Sequence, residues 1–131
     1  MEVVRVGVEP RGECPLGAPL RVGLTFEAKR DLKAASWQLR YVADLVHARH
    51  VIPLSTTDSA DYAAGSHCAE VAAPDGIPAR SLPSALLENL GMLELALTEA
   101  SGPEVAVVRL VTDVRRRGGS ELLRVVLDPL H

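Results

Sequence analysis

Cysteine is nearly missing from this chain: Cys14 and Cys68 are the only two, so at most one disulfide can form. A multi-disulfide framework is excluded, and two reduced thiols are expected. Missing too is an excess of positive charge, since the net charge is -3 at pH 7. That balance argues against electrostatic binding of nucleic acid, and Arg115-Arg116-Arg117 is the single basic cluster. Long apolar runs are lacking, which excludes a membrane-spanning helix. The first residues alternate at once like a strand instead of forming a basic segment followed by an apolar one. No secretory leader is indicated, and an intracellular setting is expected. Aromatic residues are few, one Trp, two Tyr and one Phe.

What the chain does have is period-two alternation. Its 131 residues, 47% apolar and 24% charged, suit one domain over 1–131 that buries about two thirds of its unfolded surface. Val4, Val6 and Val8 alternate with Val3, Arg5 and Gly7 in a first strand. Residues 10–19, with Pro10, Gly12, Gly17 and Pro19, break the pattern as a loop. Leu20, Val22, Leu24 and Phe26 then separate a core face from a wet face. Residues 28–33 read as a turn, and Trp37, Leu39 and Tyr41 carry aromatic bulk inward on a third strand. A weaker strand spans 46–54, residues 55–64 are polar and turn-rich, 65–73 offers a short strand, and Pro74-Asp75-Gly76 turns the chain. Ser84, after Pro83, opens at most one or two helical turns over 84–90. Strands over 92–98 and 105–114 follow, joined by Ala100-Ser101-Gly102-Pro103 as in a hairpin. After the turn at Arg117-Gly118-Gly119-Ser120, residues 122–127 form a last strand. Seven to eight short strands with at most one helical segment predict an all-β, immunoglobulin-like β-sandwich.

Candidate chemistry is sparse. His47, His50, His67 and Cys68 are the residue types that ligate zinc. Strand residues three apart, and adjacent ones, point to opposite faces, so neither His47 with His50 nor His67 with Cys68 shares an ion; no metal or other cofactor is expected. Gly65-Ser66-His67-Cys68 lacks the strand-to-helix context of a nucleophile elbow, and Gly118-Gly119 opens no helix that would cradle a phosphate. No enzyme is expected. Arg115-Arg116-Arg117 reads first as a solvated hairpin tip that discourages edge aggregation. A better signal is the outward sheet face of Glu94, Ala96 and Thr98, beside which the next strand presents either Val107, Arg109, Val111 and Asp113 or the opposite register; Arg109, Val111 and Asp113 are the candidates on it. If Arg109 stands opposite Glu94, the pair sits on an exposed sheet and contributes a few tenths of a kcal/mol. A mixed apolar and charged face of this kind suits a protein partner.

Several blocks together resemble the anti-silencing-function family of histone chaperones. They are Thr25-Phe26-Glu27, Asp31-Leu32, Trp37-x-Leu39-x-Tyr41-Val42, Ala64-Gly65-Ser66-His67, Ala73-Pro74 with Ile77-Pro78, and the strand pair over 91–98 and 105–114. The resemblance covers most of the chain and implies an immunoglobulin-like sandwich whose later strands hold the core-histone pair through an apolar centre, an arginine and an acidic loop. Arg109 matches that arginine. Glu94 stands where the family has an apolar residue, and Val46-His47-Ala48-Arg49-His50 replaces the acidic loop, the wrong sign for a basic histone. The family's long segment before its last strand is shortened to the turn at Gly118-Gly119. The expectation is therefore a non-enzymatic protein-binding module, an adaptor or scaffold subunit of a larger intracellular assembly, with cytoskeletal and ciliary complexes among the settings considered. The alternative is a core-histone chaperone acting in nucleosome assembly.

Overall fold

The computed structural model describes residues 2–10, 12–45, 48–78, 90–100, 102, 104–117 and 121–126. The strands are β1 (Glu2–Glu9), β2 (Cys14–Pro15), β3 (Leu20–Ala28), β4 (Leu32–Leu45), β5 (Ala48–Thr56), β6 (Ala60–Tyr62), β7 (Gly65–Ala73), β8 (Leu90–Glu99), β9 (Glu104–Arg117) and β10 (Glu121–Val126). No helix occurs among the described residues. β1, β3 and β7 form a three-stranded sheet in the order β1-β3-β7. The other strands form a seven-stranded sheet in the order β2-β10-β9-β8-β4-β5, with β6 also on β4. The two sheets, one of them curled like a half-barrel, pack as an all-β sandwich.

Ten described strands exceed the expected seven to eight because two very short ones were invisible as pattern. Two-residue β2 lies in the stretch read as a loop and pairs with β10 at Pro15↔Leu123 and Cys14↔Arg124. β6 lies in the polar stretch before residue 65 and pairs with β4. Period-two alternation needs four residues or more to show itself. The expected helical turns over 84–90 fall mostly outside the described residues; residue 90 opens β8.

The core follows from alternation on both sheets. Val22, Leu24 and Phe26 face Trp37, Leu39, Tyr41, Leu93, Leu95, Leu97 and Leu110, all at 4% exposure or less. Each such large side chain contributes about 1.5–3 kcal/mol of burial. The aromatics converge at one place: Phe26 meets Trp37 and Tyr62 edge-on, at ring distances of 5.4 and 5.2 Å. In β1 the register shifts between Val3 and Arg5. Val3 therefore packs on the core, while Val4, expected to share a face with Val6, is 56% exposed.

Two buried polar features shape the packing. The Tyr41 hydroxyl and the Trp37 indole N–H are buried without a hydrogen-bond partner among the described residues. Burial pushes the Tyr41 hydroxyl up to about 12. Gly91 makes room for that ring, since a Cβ there would stand 2.2 Å from the hydroxyl oxygen. At the opposite edge of the large sheet, Arg124 is 1% exposed and its guanidinium donates to the carbonyls of Pro15, Leu16, Ala18 and Pro19. The chain segment between β2 and β3 is thus wrapped around a buried cation, whose affinity for its proton burial lowers. Glu99 and Asp31 tie the ends of strands together by accepting the backbone N–H groups of Lys33 and Ala64.

Candidate functional site

β8 is central in the large sheet, flanked by β4 and β9. Leu93, Leu95 and Leu97 point into the sandwich, so Met92, Glu94, Ala96 and Thr98 lie on the outer face. The register sets Glu94 opposite Arg109 on β9, as the sequence suggests, and opposite Arg40 on β4. Arg40 Nε donates to Glu94 Oε1 at 2.8 Å and Arg109 Nε to Glu94 Oε2 at 2.7 Å. Arg40 Nη1 also donates to Glu104 Oε2 at 3.1 Å. The result is a row of alternating charge across three adjacent strands.

The exposure expected for part of this face is corrected. Glu94 is 1% exposed and Ala96 1% exposed, against the expectation of an open sheet face. Glu94 lies between two long guanidinium side chains, one on each neighbouring strand, that cover it. The Arg40 side chain is 19% exposed and the Arg109 side chain 55%. The pair with Arg109 joins a desolvated carboxylate to a guanidinium more than half in water, so of the two contacts the one with Arg40 is the more deeply buried and the costlier to break. Burial pushes the Glu94 carboxyl up, but the hydrogen bonds and charges of Arg40 and Arg109 outweigh it and hold the group below its ordinary value.

One register step along the outer face, Val51, Val42, Met92 and Val111 form an apolar row, through the pairings Val42↔Val51, Val42↔Met92 and Met92↔Val111. Val51 is 50% exposed and Met92 38%, two of the three exposed large hydrophobics among the described residues. Val111, Asp113 and Thr98 are half-buried, and Asp113 accepts from Arg115 Nε at 2.8 Å. Of the six residues singled out from the sequence, Glu94 and Arg109 are thus in contact. Val111 belongs to the apolar row, Ala96 is a buried floor, and Thr98 and Asp113 lie at opposite ends of the face. Arg40, Val42, Val51 and Met92 were missed. Arg40 could have been suspected, because it alternates with Leu39 and Tyr41 on the face opposite the core.

The other candidates are dispersed. His67 turns inward, its ring 5.6 Å from Phe26 and 5.1 Å from Tyr62, with Nε2 2.6 Å from the Ala63 carbonyl. Cys68 turns outward, its Sγ 3.6 Å from Thr25 Oγ1. The adjacent His and Cys therefore diverge, as strand geometry requires. Both cysteines are free thiols. No cluster of three metal-ligating side chains occurs among the described residues. His47 and Gly118-Gly119 lie outside them. Arg115 and Arg116 are exposed at the end of β9.

No protein-family model matches the chain, and no curated protein sequence matches it. The class that the fold and the site define is an all-β sandwich with a preorganised charged and apolar sheet face.

Proposed function

We propose that the chain is a non-enzymatic protein-binding module, an adaptor or scaffold subunit of an intracellular assembly, built on an immunoglobulin-like sandwich similar to that of the anti-silencing-function histone chaperones. The observation that carries this reading is the outer face of the large sheet. Glu94 is held by Arg40 and Arg109, and an exposed apolar pair, Val51 and Met92, stands one step away. Arg109 is fixed through Nε while its side chain stays 55% exposed, so it can meet a partner at little further entropic cost. Arginine and methionine beside an apolar strip are the side chains enriched in protein interfaces.

Affinity purification with the wild-type chain and with Val51→Asp/Met92→Asp tests the proposal. A partner enriched by the wild type and lost by the variant supports it; an identical enriched set contradicts it. The second reading, a core-histone chaperone, is favoured by one feature, the exposed Arg109 in register with the centre of the face. Pull-down with purified core histones at moderate salt separates the two, since no binding eliminates the chaperone.

A further inference from the structure

The outer face of the small sheet carries a feature that the fold does not require. Gly7 on β1 and Gly23 on β3 are direct cross-strand partners, and both lie on the wet face, between the inward residues Val6 and Val8 and the inward residues Val22 and Leu24. Neither has the positive φ that favours glycine. A Cβ at either position would meet no atom within 4 Å. Strand-interior glycine is destabilising and often marks a place where another group approaches the backbone closely. Nothing among the described residues of this chain makes that approach.

The bare backbone forms the floor of a groove of about 430 Å³; Arg5, Thr25 and Cys68 stand in the row on one side, Glu9 and Arg21 in the row on the other, and Glu70 closes the glycine row opposite Gly23. Glu70 is neutralised by Arg21 at 3.2 Å. Arg5 is exposed, and among the described residues no ion pair or side-chain hydrogen bond engages it. With Arg21 and Glu70 paired to each other, the groove combines a flat, side-chain-free floor with the Arg5 guanidinium on the wall away from Glu9. A planar aromatic ring fits both: it lies on the peptide planes, and its electron-rich face complements the cation. The groove is open, so a ring in it keeps one face in water, whereas free small ligands are held by burying most of their surface. We infer that Gly7 and Gly23 form a docking site for an aromatic side chain, Trp foremost, delivered by a segment of a partner protein. This site is on the side of the sandwich away from Glu94, and it stands independently of the outer-face reading.

Titration of the full chain with the peptide Ac-Ser-Gly-Trp-Gly-Ser-NH2, followed through the amide resonances of Gly7 and Gly23, tests the inference. Saturable ring-current shifts at both glycines are expected, with the Leu counterpart binding about fivefold more weakly and Arg5→Gln weakening the Trp peptide about threefold. Gly23→Val is expected to abolish the shift at Gly7 while leaving the melting temperature within about 2 °C of the wild type, or higher. Shifts absent from Gly7 and Gly23, or equal affinity for the Leu peptide, would overturn the docking site. A marked fall in the melting temperature of Gly23→Val would equally overturn it, because the glycine would then serve the fold.

Discussion

Glu94 is desolvated yet held ionised by Arg40 and Arg109, and the two arginines are not equivalent. Arg40 is three times less exposed and also bonds Glu104. Arg40→Met is expected to cost about 2–3 kcal/mol, because it takes the more buried of the two guanidinium donors away from a desolvated carboxylate. Arg109→Met is expected to cost under about 1 kcal/mol, since most of that side chain is already in water. Equal losses in urea denaturation would contradict this ranking. Charge reversal at Arg109 is a poor probe of binding here, for it would set a second carboxylate against Glu94; Arg109→Gln is cleaner. The pH dependence has a defined sign. With the folded carboxyl held below its ordinary value of about 4.3, the native state binds fewer protons than the unfolded chain across that window, so stability rises with pH there. Glu94's contribution is complete above the ordinary value and is lost as pH falls through the lowered one. Glu94→Gln is expected to flatten the acid limb of a stability-against-pH curve.

At the scale of strands and turns, two positions carry more than their sequence context suggests. Gly91 looks like a weak residue in a strand, yet a methyl group there would overlap the Tyr41 ring. Gly91→Ala is therefore expected to destabilise by about 1–3 kcal/mol despite the gain in strand propensity. A neutral or stabilised variant in thermal melts would show that the ring moves freely. Arg124 holds four backbone carbonyls between β2 and β3 from inside the protein. Arg124→Lys is expected to lose about 2 kcal/mol or more, because an ammonium cannot reproduce the planar fork and leaves buried carbonyls unpaired. Full stability of the lysine variant would refute that role. From sequence Arg124 is one more polar residue in a closing strand. Its function depends on a segment more than a hundred positions earlier, which local pattern cannot reach.

Across the whole molecule, alternation reveals β1, β3, β4, β8 and β9 because each has one face in the core, and the hairpin joining β8 to β9 leaves two registers open, of which the structure shows the one that sets Arg109 opposite Glu94. The cross-chain terms are what alternation does not reveal. β4 joins β8 across 54 positions, from Arg40 to Glu94, so neither the second arginine nor the burial of Glu94 is legible from local spacing. For the same reason the apolar row was seen only in part: Val111 is on the hairpin, whereas Val42 and Val51 arrive from the earlier strands β4 and β5. In the sequence Gly7 and Gly23 are two unrelated strand positions, since only the register shows them to be opposite each other. The resulting molecule has two dissimilar outer faces, one with a charged row beside an apolar row, the other with a bare patch of backbone at Gly7 and Gly23 among charged side chains.

The outer face is the central claim, and affinity purification from native cell extract, with Val51→Asp/Met92→Asp and Arg109→Gln beside the wild type, tests it most directly. Both variants alter exposed side chains and are expected to melt within about 3 °C of the wild type. The expected result is a discrete partner recovered by the wild type, lost with the double variant and reduced with Arg109→Gln. Recovery of the same partner in equal amount by all three folded proteins would contradict the assignment of this face.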